Sequence, residues 1–159
     1  MDRVEPEDLD TGTLALFAGF AASGHVQDDL AGRGFGDLRF SHGYVFQHLV
    51  AGRPTIGELA AKLGMTQQGA SKAVVELERL GYAERFADPD DARTRRVRLT
   101  PRGRDAVATA RRARAALEER LAARFGAGRL AEARALLTEM LDELGGVPAI
   151  RRREVRPPR

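Results

Sequence analysis

Apolar residues recur at helical spacing through most of this chain, and the breaks between the helical stretches fall at glycine and proline. Leu14, Phe17, Ala18, Ala21, Ala22 and Val26 mark one face of a helix from Thr11 to about Leu30. Gly32, Gly34 and Gly36 interrupt it. Val45, Phe46 and Leu49 mark a second helix from about Phe40 to Val50. Gly52-Arg53-Pro54 stops it, because the residue before proline is pushed out of the helical region. Thr55 and Glu58 form a capping box ahead of Ile56, Leu59, Ala60 and Leu63. Gly64 closes that short helix. Thr66 caps the next, which runs to about Leu80 and ends at Gly81.

The period then changes. Ala83 to Ala87 and Val97 to Thr100 read as short strands around Asp88-Pro89-Asp90-Asp91-Ala92-Arg93-Thr94-Arg95-Arg96. That insert has a turn-forming acidic start and a basic end. Thr100-Pro101 is a cap followed by proline at the first helical position. A long helix is predicted to about Phe125, broken by Gly126 and Gly128, and a last one over Leu130–Leu144. The order helix, tight turn, helix, strand, basic hairpin, strand describes a winged helix-turn-helix. The fold class is therefore mainly α with a small β-hairpin wing, the winged helix-turn-helix being flanked by N- and C-terminal dimerisation helices.

On the helix after Thr66, a step of about 100° per residue puts Gln67, Ser71, Val75, Gln68, Arg79 and Lys72 on one face. Ala73, Leu77, Ala70 and Val74 fall on the opposite face. The first set carries amides, a hydroxyl, an ammonium and one apolar group, the chemistry that reads base edges and phosphates. Gly69 in mid-helix suggests close approach to DNA or to the preceding helix. Arg93, at the hairpin tip, can enter a minor groove, and Asp91 is placed to hold its guanidinium.

Charge sharpens this reading. Residues 1–50 carry a net −5, residues 51–104 a net +4 and residues 105–159 a net +4. A basic middle and tail behind an acidic head suit a polyanion. Of the 26 basic residues, 24 are arginine and only Lys62 and Lys72 are lysine, so arginine number alone decides little and position must carry the case. At 43% hydrophobic residues the chain can build a core. No apolar run is long enough to span a membrane, and the acidic N-terminus lacks a signal sequence, so a cytoplasmic protein is expected. The absence of cysteine excludes disulfides and thiol redox sensing.

Other chemistry finds little support. His42 and His48 stand about 120° apart on one helix, and zinc-binding spacing is absent, so no metal and no cofactor are expected. No nucleophile elbow, phosphate-cradling glycine motif or acid–base carboxylate pair points to an enzyme. The alternative to a DNA-binding protein is an antirepressor-like winged-helix interaction module without operator binding.

The chain resembles the MarR family of bacterial transcription regulators. The match rests on Glu58-Leu59-Ala60, Leu63-Gly64, Thr66 to Leu80 with Leu77-Glu78-Arg79-Leu80-Gly81-Tyr82, the Asp91-x-Arg93 wing, and Leu99-Thr100-Pro101-x-Gly103. The resemblance implies a homodimeric repressor on double-stranded DNA. It implies major-groove contacts from Thr66, Gln67, Gln68, Ser71 and Lys72, a minor-groove role for Arg93 and a backbone contact from Arg95. It also implies a small aromatic or phenolic ligand between the pairing and DNA-binding parts, with His42, Phe46 and Phe17 as candidate pocket residues. Phe17, Phe20, Phe40 and Phe46 are otherwise expected in the core.

The domain boundaries follow: 1–36 for an N-terminal dimerisation helix and linker, 37–100 for the winged helix-turn-helix, 101–146 for C-terminal dimerisation helices, and 147–159 for a basic disordered tail. Independently of the resemblance, the apolar stripe Leu130, Ala133, Leu137, Met140, Leu141 and Leu144 needs a partner surface. A two-fold dimer is the commonest way to supply one.

Overall fold

A computed structural model describes residues 4–158. Its elements are α1 (Thr11–Leu30), α2 (His42–Ala51), α3 (Ile56–Leu63), α4 (Gln67–Arg79), β1 (Ala83–Ala87), β2 (Arg95–Leu99), α5 (Pro101–Phe125), α6 (Ala127–Glu143) and α7 (Val147–Arg151). The mainly helical winged fold read from the sequence is the fold observed.

Caps set most boundaries. Asp10 accepts from Thr13 N–H at the start of α1, Thr55 from Glu58 N–H, Thr66 from Gly69 N–H and Thr100 from Gly103 N–H. Each satisfies an amide that the first turn of a helix leaves free. The Glu58 carboxylate returns to Thr55 N–H at 2.9 Å, completing the capping box. Gly64 ends α3 in the left-handed conformation, φ +62°.

The core belongs to the winged unit. Leu59, Val74, Leu77, Tyr82 and Val97 are completely buried and pack with Val45, Phe46, Leu49 and Ala106. Strands β1 and β2 pair antiparallel with Ala83 opposite Leu99 and Ala87 opposite Arg95. The second strand thus starts two residues before the position read from the sequence. The reason is loop closure: Asp88 N–H donates to Thr94 O, which brings Arg95 and Arg96 into register with Ala87 and Phe86.

Where α5 leaves the wing it crosses very close to Tyr82. A Cβ at Gly103 would stand 2.2 Å from the Tyr82 carbonyl oxygen, so only glycine fits that crossing. The link from α1 is tied to the same corner. The Tyr82 hydroxyl donates to Asp37, and the Arg102 guanidinium reaches the Tyr82 hydroxyl (2.9 Å), Asp37 (3.2 Å) and Gly34 O (3.3 Å).

Some expectations need correction. The glycines after Leu30 do not stop α1 abruptly; the chain continues as a wide helical turn to Phe35, with Gly34 supplying φ +91°. Helix α2 begins at His42, because residues 39–41 form a turn stabilised by His42 itself. Phe17, Phe20 and Phe40 lie on the surface rather than in the core; Phe46 alone of the four is buried.

Ahead of α1, Pro6–Asp8 form a 3-10 turn; residues 1–3 lie outside the described part. The tail also departs from the disorder expected of it. Gly145, φ +72°, closes α6, and Val147–Arg151 make another helical turn. Arg152 then pairs with Glu154 at 2.7 Å, and Arg156 lies against Gly64. Arg159 lies outside the described residues.

Candidate nucleic-acid interface

Two short helices meeting at Gly64 set the geometry. Ala70, Val74 and Leu77 bury one face of α4 against α3 and the core, so the opposite face is turned out. On that face Gln68, Lys72, Val75 and Arg79 are all exposed. Their spacing of four, three and four residues makes one continuous stripe along the helix. It presents an amide, an ammonium, an isopropyl group and a guanidinium. Neither Lys72 nor Arg79 has an ion-pair partner among the described residues.

The other α4 candidates are more constrained. The Thr66 hydroxyl accepts from Gly69 N–H at 3.1 Å, which leaves its own proton free to donate. Gln67 is exposed, but its amide lies against Gly57 at the start of α3. Ser71 is half-buried and receives the Arg85 guanidinium from β1 at 3.3 Å. That contact, with the Arg85–Glu78 ion pair, fastens the wing's first strand to α4. Gly69 does not mark a helix–helix approach: a Cβ there would meet the Thr66 hydroxyl and Met65, both in the preceding turn.

The wing is built around two aspartates. Asp88 accepts from Asp90 N–H and from the Arg96 guanidinium, and in that order these contacts hold its carboxyl below the usual carboxylate range. Asp91 accepts from Arg93 N–H (3.0 Å) and from the Thr94 hydroxyl (2.8 Å). The expected clasp between Asp91 and the Arg93 guanidinium is therefore replaced by one to the Arg93 backbone. The carboxylate spends its lone pairs on the turn, and the guanidinium projects free. Arg93 and Arg95 are exposed and unpaired among the described residues, whereas Arg96 and Arg98 are held by Asp88, Glu58 and Glu84.

Behind the helix-turn-helix, α1, α2 and α5 enclose a cavity of about 490 Å³. His42 and Phe46 line it with Val26, Leu30 and Leu121; Phe17 does not reach it. His42 Nδ1 accepts from Arg39 N–H at 3.0 Å, so a neutral ring carries its proton on Nε2, which stands 3.6 Å from Glu76. Arg39 meets the same carboxylate at 2.5 Å. Glu76 lies on α4, so the cavity wall and α4 share one charged cluster. Sequence reading missed this, because Arg39 and Glu76 are 37 residues apart and nothing local pairs them.

Among the described residues no group of three acidic or histidine side chains is placed to hold a metal ion. Among the described residues no helix is long and apolar enough to cross a membrane.

No curated protein matches the chain in sequence. Solved structures do match its shape. A mutant of MepR from S. aureus, bound to an oligodeoxyribonucleotide, is 22% identical and superposes with a TM-score of 0.62, covering 86% of this chain and 99% of its own. FabT of Streptococcus pneumoniae in complex with DNA is 21% identical, TM-score 0.64, over 87% and 99%. YusO from Bacillus subtilis is 17% identical, TM-score 0.64, over 82% and 92%. These likenesses establish the fold. The sequence model of the MarR family matches residues 37–94, the segment from the link after α1 to the end of the wing loop. By that match and that fold, residues 37–94 are a MarR-family winged helix-turn-helix.

Proposed function

We propose that this chain is a DNA-binding transcription regulator that works as a homodimer on a pseudo-palindromic operator. The observation that carries the reading is the exposed stripe Gln68, Lys72, Val75 and Arg79, its cations unpaired, on a helix fastened to a wing with two free arginines. Gln68 and Lys72, with Thr66, Gln67 and Ser71 around them, are assigned to the major groove. Arg93 is assigned to the minor groove and Arg95 to the backbone. MepR and FabT, in structures holding DNA, share this fold.

Residues 37–100 read DNA in this proposal, and residues 1–36 and 101–146 pair two chains. Pairing is supported by what a single chain leaves uncovered. None of α6 is buried; Leu136, Leu137 and Leu141 are exposed along it and Leu144 just past its end, as are Leu14, Leu16 and Phe17 on α1. The chain exposes 11056 Å², whereas a compact monomer of its mass exposes about 7,800 Å². Obligate dimers bury roughly 1,000–2,500 Å² of each partner, so pairing accounts for much of that excess. A two-fold pair would set the recognition helices roughly 34–36 Å apart, one turn of DNA.

Repression is the action assigned, with release by a small aromatic or phenolic effector in the cavity of His42 and Phe46. MepR also has a structure bound to ethidium bromide. A ligand pressing on His42 would disturb the Arg39–Glu76 pair and so the seating of α4. A regulator of chromosomal operators works in the cytoplasm.

The test is selection of bound duplexes from random DNA, followed by titration of the selected site at two salt concentrations. Half-sites about ten base pairs apart, bound with a steep salt dependence, are expected. Failure to enrich any site at low salt would turn the reading toward an interaction module that does not bind operators.

A further inference from the structure

The chain past α7 is held in a set path. Arg152, Arg153 and Glu154 donate their backbone N–H groups to Pro148 O (3.1 Å), Ile150 O (3.0 Å) and Ala149 O (2.8 Å). The last two bonds make a Schellman closure, whose pivot residue takes the left-handed conformation. Arg153 is that pivot at φ +58°, the only non-glycine among the described residues with a positive φ. Glycine is the usual occupant, and a larger residue persists there only where its surroundings hold it.

Three seats hold it. Arg153 lines the cavity behind His42. Glu154, half-buried and paired with Arg152 at 2.7 Å, lies near buried His48 of α2. Burial first, then the Lys62 charge, lower the His48 pKa, while the Glu154 carboxylate works to raise it. Arg156 rests on Gly64, its Cζ 2.6 Å from where a Cβ on that glycine would stand. Gly64 thus serves twice, by its φ of +62° and by leaving a seat for the guanidinium. Within three residues the tail crosses from the cavity rim to the turn between α3 and α4. In that turn Gly64 N–H donates to Ala61 O and Met65 N–H to Ala60 O, and the next residue, Thr66, caps α4. A shift of the turn is therefore a shift of the first turn of α4, where Gln67 and Gln68 stand. A cation at the C-terminal end of α3 also meets the negative end of its dipole.

We propose that residues 152–158 are an intramolecular strap and that Arg156 is a positioning residue, acting through Gly64 and Met65 to fix the start of α4. The strap joins the end of the C-terminal helices to the reading head, so the recognition face is set from a part of the chain that does not itself touch DNA. Its effect on DNA rests on the operator reading; its effect on the α3–α4 turn does not, and is measured on the protein alone.

The test compares the full chain with Arg156→Gln, by amide hydrogen exchange without DNA and by titration of the selected duplex and a random one at two salt concentrations. Exchange at the Gly64 and Met65 amides should quicken about fivefold, and affinity for the selected duplex should fall about as much, the most an exposed charged contact delivers. Affinity for random duplex, the salt dependence and the melting temperature should stay as in wild type. Arg151→Gln, which removes the same charge from exposed α7, should match wild type throughout. Gly64→Asn keeps the left-handed turn, which asparagine adopts readily, but fills the guanidinium's seat. It should reproduce the Arg156→Gln values, and the double variant should be no worse than either. If Gly64→Asn does not melt cooperatively, Arg156→Gln and its control decide alone. Unchanged exchange in Arg156→Gln would overturn the strap, as would additive losses in the double variant. Equal weakening on both duplexes with a shallower salt dependence would overturn the positioning role and make Arg156 a direct phosphate contact. Quickened exchange in a chain that binds no duplex would uphold the strap and sink the operator reading.

Discussion

Tyr82 shows how much one side chain can be asked to do. It is completely buried, and its hydroxyl donates to Asp37 while accepting from Arg102, which joins the link after α1 to the start of α5. Burial first, and then the Asp37 carboxylate, push its ionisation up to about 12. The folded chain therefore keeps the phenol proton at a pH where an unfolded chain has lost it. That stabilisation is complete below about pH 10, the ordinary tyrosine value, and fades as pH rises towards 12. Melting temperatures followed from pH 9 to 12 should fall more steeply for wild type than for Tyr82→Phe; parallel curves would exclude this account. At neutral pH the same substitution should cost about 1.5–3 kcal/mol, the worth of one hydrogen bond to a charged partner. Gly103→Ala is a harsher change. The added carbon meets backbone at 2.2 Å, so α5 must move, and denaturant titration should show a loss of about 1–3 kcal/mol or more. A stability change below about 0.5 kcal/mol would mean the crossing is looser than described.

Among the elements, the wing differs most from its sequence reading. Its charged residues divide by role in a way composition cannot show. Asp88, Asp91, Arg96 and Arg98 are spent on shaping the hairpin, and Arg93 and Arg95 are left free. Asp91→Ala should therefore loosen the tip without touching the core. Hydrogen exchange at the Arg93 and Thr94 amides should quicken, with the melting temperature almost unchanged. Unaltered exchange there would remove Asp91 as the clasp. Arg93→Ala should do the reverse, leaving amide protection intact and weakening operator binding by about 1–3 kcal/mol. Operator titration of the folded variant decides that, and an unchanged affinity would dismiss the minor-groove role. Helix α4 is easier to read, since its 3.6-residue period separates buried Ala70, Val74 and Leu77 from Gln68 and Lys72 without reference to anything distant. Its finer contacts are not legible in sequence. Gln67 folds back on Gly57, and Ser71 is taken up by Arg85, through the packing of α3 and β1 beside it.

At the scale of the molecule, the two ends of the chain lack a core of their own. Every fully buried large side chain among the described residues belongs to the winged unit, while α6 exposes Leu137 at 44% and Leu144, just past its end, stands at 78%. If a second chain covers that face, Leu137→Asp/Leu141→Asp should yield a monomer by light scattering, with operator affinity reduced far more than stability of the winged unit. A variant that remains dimeric would place the pairing surface elsewhere.

The sequence by itself determined what depends on near neighbours along the chain. Helix spans, the caps at Thr55, Thr66 and Thr100, the hairpin between two strands and the face of α4 turned outward follow from period and turn chemistry, which act over a few residues. The tertiary structure alone decided which charges remain free. Arg39 finds Glu76, Arg85 finds Ser71 and Glu78, and Arg53, Arg104 and Arg111 find no carboxylate among the described residues. Those outcomes depend on which helices cross and how closely. Ion pairing is decided by a few ångströms of separation between residues far apart in the chain, and no local pattern encodes that distance.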